Sequence, residues 1–155
     1  MLDVDGVLTD GRIIVDDTGK ELKNFDVKDG FGLVMLMKKG LKTAIISARS
    51  SKAVTARAKD LKIHKVYQNA YPKTEAYEAL LKSFKVTDDE VCFIGDDLPD
   101  VPVLKRVGFA VTVPNAPVEV KGVCDYVTQK EGGKGAVREL VELILKTQNK
   151  WDVMK

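Results

Sequence analysis

Val91-Cys92-Phe93-Ile94-Gly95-Asp96-Asp97 is a short apolar run that ends in a glycine and two carboxylates. Such a run favours a strand that is buried on both faces, as the strands of parallel sheets are. A second run, Thr43-Ala44-Ile45-Ile46, ends in the polar residue Ser47, and Asp3 follows the apolar start of the chain. Because the carboxyl ends of parallel strands meet at one edge of a sheet, we expect Asp3, Ser47 and Asp96-Asp97 to converge there.

Helical patterns alternate with these strands along the chain. Apolar stripes predict helices at 30–39, 51–61, 74–84, 101–107, 118–122 and 134–146, and apolar runs predict strands at 42–46, 66–67, 91–94, 109–113 and 126–127. The turn-rich stretch Asp16-Asp17-Thr18-Gly19 predicts a β-hairpin after the first motif. The sequence therefore predicts an α/β fold, a Rossmann-like parallel sheet with helices on both faces plus a hairpin insertion, in one domain over residues 1–155.

The composition is that of an ordinary globular protein, with 155 residues, 45% hydrophobic and 31% charged, and a formal net charge of +2. Basic and acidic residues are spread along the chain, whereas nucleic-acid binding usually needs a clustered basic face. The apolar runs are far shorter than the roughly 20 residues of a membrane helix. One histidine and two cysteines nearly exclude a Cys/His zinc site. We therefore expect no nucleic-acid or membrane partner and a cytoplasmic setting.

The start of the chain shows no charged segment followed by an apolar run, so it does not have the pattern of a signal peptide. Only Met1 and Leu2 precede Asp3, which is too few residues for a central strand. We therefore expect a few apolar residues upstream of the printed sequence to complete that strand.

Asp3 and Asp5, one residue apart at the end of a strand, suit phosphate chemistry. Phosphate monoesters hydrolyse very slowly, so their cleavage needs a nucleophile, a proton donor and positive charge around the phosphoryl oxygens. One carboxylate can attack phosphorus to give an aspartyl-phosphate that water then hydrolyses. The second can protonate the leaving oxygen and later deprotonate the water. A break in the strand at Gly6 would let both carboxylates reach one pocket.

Positive charge is needed because two carboxylates would repel a phosphate dianion. Asp96 and Asp97 add oxygen ligands at the same edge, which favours a site for Mg²⁺. Ser47 can offer its hydroxyl and nearby backbone amides to a phosphate oxygen. Lys73, which opens a helix after Pro72, supplies a positive point charge to the phosphate and the nucleophile.

Four motifs in this order resemble those of the haloacid dehalogenase superfamily. The motifs are residues 3–11, Ser47, Lys73 and Gly95-Asp96-Asp97-Leu98-Pro99-Asp100. Any one of them alone is weak, but four in the right order on the right elements are specific. The resemblance spans most of the chain.

The resemblance assigns roles within these motifs. It implies that Asp3 is the nucleophile and that Asp5 is the general acid and base. It also implies Mg²⁺ as the cofactor, held by Asp3, the backbone carbonyl of Asp5, and Asp96. Asp97 and Asp100 would order the site behind these ligands.

A narrower resemblance is to the 3-deoxy-D-manno-octulosonate 8-phosphate phosphatases, a branch of the superfamily without a cap domain. It rests on the hairpin, residues 26–30, residues 46–50, Arg57 and residues 132–139. One departure is visible: Ser47-Ala48-Arg49 stands where the family commonly has Thr-Gly-Arg, which keeps the hydroxyl and stiffens the loop.

This narrower resemblance implies hydrolysis of a phosphorylated eight-carbon sugar acid in lipopolysaccharide precursor synthesis. It implies substrate contacts from Asp5, Asp26, Val27, Lys28, Asp29, Gly30, Arg49, Arg57 and Lys73. It further implies a homotetramer built through the hairpins, in which the C-terminal tail of a neighbouring subunit helps cover the pocket. Two alternatives remain open: a phosphatase for nine-carbon sugar-acid phosphates or broad sugar phosphates, and a tetramerising module with little turnover.

Overall fold

Strands and helices alternate along residues 1–151, the part of the chain that this computed structural model describes. The strands are β1 (Ile14–Val15), β2 (Glu21–Leu22), β3 (Ala44–Ile46), β4 (Lys65–Tyr67), β5 (Cys92–Ile94), β6 (Phe109–Thr112) and β7 (Tyr126–Val127). The helices are α1 (Val27–Lys38), α2 (Lys52–Leu61), α3 (Lys73–Phe84), α4 (Val101–Leu104), α5 (Val118–Lys121) and α6 (Ala136–Thr147). This order confirms the predicted α/β alternation and the hairpin insertion, which is β1 paired antiparallel with β2.

Leu2 joins the parallel strands into one sheet. β3 pairs with β4, and β5 pairs with β6, which pairs with β7, all in parallel. Leu2 bridges Ile45 on one side and Ile94 on the other, so the order is β4-β3-Leu2-β5-β6-β7. The segment before Asp3 thus occupies the central position of the sheet, although it forms only a single-residue bridge on each side.

Two groups of helices cover the sheet. α1 packs against α6 and α2, and α3 packs against α4. Ile46, Phe93 and Val111 in the strands are fully buried, which accounts for the continuous apolar runs that predicted them. Among the described helices, none is long and apolar enough to cross a membrane.

α1 begins three residues before the predicted start at Gly30. Asp26 caps the helix: its Oδ1 accepts from the backbone amides of Lys28 at 2.6 Å and Asp29 at 3.0 Å. A carboxylate at this position satisfies amides that have no partner within the helix. The apolar stripe alone places the start too late because the first turn, Val27 to Asp29, carries only one apolar side chain.

The described chain ends beside α6. The Trp151 ring lies 5.3 Å from the Arg138 guanidinium carbon and 5.3 Å from Lys146 Nζ, so it packs on its own subunit. The narrower resemblance implies that the C-terminal tail lies near a neighbouring active site, and residues 152–155 of this tail lie outside the described residues.

Asp29 ties α1 to the start of α6. Its carboxylate is buried and accepts from the backbone amides of Arg138 at 2.7 Å and Gly135 at 3.3 Å. α6 receives no side-chain cap from Gly135 itself, so a residue from α1 satisfies its first amides. The loop before α6 in turn supports the first motif, since Gly133 N donates to Val7 O at 2.9 Å. A Cβ on Gly132 would lie 1.8 Å from the Gly6 carbonyl oxygen, so only glycine fits there.

We expect Asp29→Ala to lower the free energy of unfolding by about 1–3 kcal/mol, because two partly buried amides lose their buried acceptor. Thermal or denaturant unfolding followed by circular dichroism measures the change. The matched control is Asp17→Ala on the exposed hairpin turn, which should change stability by no more than about 0.5 kcal/mol. Equal stability of the two variants would contradict the capping role.

Candidate active site

Charged side chains converge at the carboxyl ends of β3 and β5 and of the Leu2 segment between them. They surround a cavity of about 230 Å³ lined by Asp3, Asp5, Gly11, Ser47, Ala48, Arg49, Lys73, Asp96, Asp97, Pro99 and Asp100. A larger cavity of about 540 Å³ lies near the amino ends of the strands, and none of these residues lines it. The structure therefore brings together Asp3, Ser47 and Asp96-Asp97, as the strand ends predict.

Lys73 stands between two buried carboxylates. Its Nζ lies 2.9 Å from Asp3 Oδ1 and 2.6 Å from Asp100 Oδ1, and its side chain is only 2% exposed. Burial alone would lower the pKa of Lys73, but the charges of Asp3 and Asp100 outweigh it and raise the pKa. Lys73 therefore stays a cation and fixes one oxygen of Asp3.

Asp3 is difficult to ionise with Lys73 as its only neighbouring cation. Burial, followed by the charge of Asp100, raises its pKa to about 6 despite the contact with Lys73. Burial and the charges of Asp3 and Asp100 raise the pKa of Asp96 further, to about 8. One lysine thus does not balance the carboxylates gathered here.

A hard divalent cation fits this arrangement. Carboxylate oxygens of Asp3, Asp96 and Asp100 lie within 4.8 Å of one another. Asp96 reaches the cluster because position 6 is glycine: a Cβ on Gly6 would lie 1.9 Å from Asp96 Oδ2. Oxygen ligands of this kind suit Mg²⁺, which would also return Asp3 and Asp96 to their ionised forms.

Asp100 organises the loop that carries Asp96. Its Oδ2 accepts from the backbone amides of Asp96 at 3.0 Å and Asp97 at 3.2 Å, while its Oδ1 contacts Lys73. Both oxygens are therefore engaged and the side chain is buried, so Asp100 holds the loop at the wall of the cavity. Asp97 is exposed and caps the short 3-10 turn at Leu98, accepting from its amide at 2.8 Å.

Asp5 is held by a lysine that the sequence analysis did not identify. Lys23 Nζ, from the residue after β2, donates to Asp5 Oδ1. Arg49 Nε lies 3.9 Å from Asp5 Oδ2, and Arg49 also pairs with Glu21. The sequence feature that could have pointed to Lys23 is its position in the hairpin that follows the first motif. Its spacing from Asp5 does not by itself identify the contact.

Ser47 lies buried at the end of β3 and lines the cavity. Its backbone amide donates to Tyr67 O at 2.9 Å, and its Oγ accepts from the amide of Arg49 at 3.3 Å. The loop after β3 is thereby fixed so that the hydroxyl and Arg49 face the same cavity.

The structure places the remaining predicted substrate contacts outside the cavity. Asp26 caps α1 and Asp29 caps α6, while Val27 and Lys28 are exposed at the start of α1. Gly30 lies against the side chain of Arg57: a Cβ there would come within 2.2 Å of Arg57 Nη2. Arg57 itself pairs with Asp60 at 2.9 Å. Arg49 is the arginine that lines the cavity.

A buried carboxylate fixed by a lysine, with further carboxylates within reach of one cation, suits the transfer of a phosphoryl group to the protein. Fold and site together define a hydrolase that works by phosphoryl transfer and has a Rossmann-like α/β fold. A model of the haloacid dehalogenase-like hydrolases matches residues 62–140. The chain is also 41% identical over 155 residues to the 3-deoxy-D-manno-octulosonate 8-phosphate phosphatase of Escherichia coli K12, covering 100% of this chain and 82% of that protein. The chain belongs to the haloacid dehalogenase-like hydrolase family.

Solved structures give the same relationship. The 3-deoxy-D-manno-octulosonate 8-phosphate phosphatase of Moraxella catarrhalis, in complex with magnesium, phosphate and KDO, is 46% identical with a TM-score of 0.93, covering 96% of this chain and 85% of that one. The cobalt-bound deoxy-D-mannose-octulosonate 8-phosphate phosphatase of Haemophilus influenzae is 40% identical with a TM-score of 0.93, covering 96% of this chain and 87% of that one. The α/β fold is therefore that of these phosphatases.

The raised pKa values predict a pH-dependent response to Mg²⁺. Without metal, the folded-state pKa values of Asp3 and Asp96 (about 6 and about 8) exceed the ordinary 3.8. The unfolded state therefore loses these protons first as pH rises, so the free energy of unfolding should fall between about pH 4 and pH 8. Mg²⁺ binds the ionised carboxylates, so it should raise Tm more at about pH 8 than at about pH 5.

Differential scanning fluorimetry with and without Mg²⁺ at the two pH values measures this effect. Asp96→Asn is the variant that removes a ligand charge, and it should lose most of the Mg²⁺-induced shift. A shift of equal size at both pH values, or one that persists in Asp96→Asn, would contradict the proposed cation site.

Proposed function

We propose that this protein hydrolyses 3-deoxy-D-manno-octulosonate 8-phosphate to the free sugar acid and phosphate in lipopolysaccharide precursor synthesis, with Mg²⁺ as cofactor. The observation that carries the proposal is Asp3, held 2.9 Å from Lys73 at the edge of the sheet in a chain 41% identical to the Escherichia coli phosphatase. A charged sugar phosphate does not cross a bilayer unaided, so the enzyme acts where its substrate is made, which we propose is the cytoplasm.

The proposed reaction has two steps at phosphorus. In the first, an Asp3 oxygen forms a bond to phosphorus, the bond to the sugar oxygen breaks, and Asp5 protonates that oxygen. In the second, water attacks phosphorus, Asp5 takes the water proton, and the bond to Asp3 breaks to release phosphate. Lys73 and the Ser47 hydroxyl hold the phosphoryl oxygens so that attack occurs in line with the leaving oxygen. The release of phosphate regenerates the Asp3 carboxylate that began the cycle.

The residues proposed to hold Mg²⁺ are the carboxylates of Asp3 and Asp96 and the backbone carbonyl of Asp5. When bound, the cation supplies positive charge that balances the phosphate against these carboxylates. For the sugar acid we propose Arg49, the arginine that lines the cavity. An arginine can bind the sugar carboxylate through two parallel hydrogen bonds.

A panel of phosphate esters, with phosphate release measured in the presence of Mg²⁺, tests the function. We expect kcat/KM for the eight-carbon sugar-acid phosphate to exceed that for a nine-carbon sugar-acid phosphate and for glucose 6-phosphate by at least about tenfold. Asp3→Asn should reduce release to background while the variant still unfolds cooperatively, because Asp100 remains beside Lys73.

Three results would each contradict a different part. Equal kcat/KM across the panel would overturn the substrate, and wild-type activity in Asp3→Asn would overturn the nucleophile. Background release by the wild-type protein with every ester would favour a tetramerising module with little turnover.

We also propose that the hairpin assembles the protein into a homotetramer. Ile13, Ile14, Val15 and Leu22 are between 44% and 60% exposed, although they belong to a two-stranded hairpin. Such a hairpin is marginal in water on its own, and clustered apolar side chains mark contact surfaces. In the tetramer, the C-terminal tail would lie near the pocket of a neighbouring subunit.

The tetramer predicts a defined response to charge on the hairpin. Sedimentation velocity should show a tetramer for the wild-type protein and smaller species for Ile14→Lys, because a buried lysine would lack a partner. Asp17→Lys, in the exposed turn of the same hairpin, is the control and should remain tetrameric. A monomeric wild-type protein would remove the shared pocket.

A further inference from the structure

The end of the hairpin brings an otherwise unassigned lysine to the general acid and base. Lys23, just after β2, has a side chain only 2% exposed. Its Nζ donates to Asp5 Oδ1 and lies 2.9 Å from Glu21 Oε1. The ion pair with Glu21 is the longer of the two contacts, so Asp5 is the closer partner of Lys23.

The same strand also holds the arginine of the cavity. Glu21 Oε2 accepts from Arg49 Nη2, and Arg49 Nε lies 3.9 Å from Asp5 Oδ2. Two cations and two anions therefore alternate in the order Arg49, Glu21, Lys23, Asp5. The Lys23 side chain within this series is only 2% exposed, so its removal would leave Glu21 and Asp5 without their shared cation in a poorly hydrated place.

We propose that Lys23 is a positioning residue, which holds Asp5 Oδ1 so that Oδ2 faces the reacting oxygen and carries the proton. This inference rests on the proposed phosphatase function and deepens it. It also gives the two reacting carboxylates matching supports, since Lys73 contacts one oxygen of Asp3 as Lys23 contacts one oxygen of Asp5. The nucleophile and the proton carrier are thus oriented by separate lysines from separate elements.

Orientation matters for Asp5 because it acts twice on different atoms. It gives its proton to the leaving oxygen, and it then takes a proton from the attacking water. Proton transfer needs the donor and acceptor atoms within hydrogen-bond reach, so a carboxylate free to rotate spends little time in a productive position. A fixed Oδ1 leaves one oxygen to serve both steps.

A comparison of two leaving groups separates this role from a purely structural one. The sugar-acid phosphate releases an alkoxide that must be protonated, whereas p-nitrophenyl phosphate releases a phenolate that leaves without a proton. The variants are Lys23→Met, which removes the charge at similar length, and Lys23→Arg, which keeps it. Lys20→Met is the matched control, since it makes the same change on an exposed residue of the same hairpin.

For Lys23→Met we expect kcat/KM with the sugar-acid phosphate to fall about 30-fold, and kcat/KM with p-nitrophenyl phosphate to change less than about threefold. Hydrolysis of the aspartyl-phosphate also needs Asp5, so p-nitrophenyl phosphate should give a burst of about one nitrophenolate per active site followed by slow turnover. Lys23→Arg should restore most of the activity and abolish the burst, and Lys20→Met should behave like the wild-type protein.

Equal losses of kcat/KM with both esters and no burst would overturn the positioning role, and so would unchanged kinetics in Lys23→Met. If Lys23→Met fails to melt cooperatively, Lys23→Gln is measured instead, with the same expected split between the esters. If the wild-type protein hydrolyses p-nitrophenyl phosphate but not the sugar-acid phosphate, only the proposed substrate is wrong. The presence or absence of the burst in Lys23→Met then decides whether Lys23 positions Asp5. If the wild-type protein hydrolyses neither ester, the proposed function and this inference are both wrong.

Discussion

A lysine ammonium between two buried carboxylates is the contact on which the rest of the site depends. Lys73 Nζ lies 2.9 Å from Asp3 and 2.6 Å from Asp100, and the side chains of Lys73 and Asp100 are at most 2% exposed. A charge in such surroundings is stable only with its partners, because its lost hydration costs several kcal/mol. Asp100 is committed to this lysine and to the amides of the loop that carries Asp96. Asp100 therefore sets the position of Lys73, which holds the proposed nucleophile Asp3. It also sets the position of Asp96, the second proposed metal ligand.

Close backbone approach is what allows so many carboxylates to meet. A Cβ on Gly6 would overlap Asp96, and a Cβ on Gly95 would lie 2.5 Å from Asp100 Cγ. Glycine at position 6 thus lets the first loop approach Asp96, and glycine at position 95 lets Asp100 fold back onto its own loop. Burial, together with the charges of the neighbouring carboxylates, raises the pKa values of Asp3 and Asp96. The packing that brings these carboxylates together is thus also what makes a divalent cation fit among them.

The parts of this structure that could be predicted from sequence are those encoded locally. Buried strands show as apolar runs, and strand ends carry Asp3, Ser47 and Asp96, so the converging edge follows from a general property of parallel sheets. The supports of these residues could not be predicted in the same way. Asp29 meets its partner amide 109 residues away, and Lys23 meets Asp5 across 18 residues of hairpin. The members of each pair lie in different elements, so no helical or strand period links them and only the folded chain reveals the contact.

Strand geometry links the hairpin both to the site and to the face of the proposed tetramer. Successive side chains of a strand point to opposite faces. Glu21 contacts Arg49 and Lys23 contacts Asp5, so Leu22 between them faces away, where it is 50% exposed opposite Ile14 of β1. A contact that buries Leu22 would hold the strand, and with it the two residues that orient Arg49 and Asp5. If the proposed tetramer forms through this face, subunit association and the orientation of the proton carrier are therefore two consequences of one short strand.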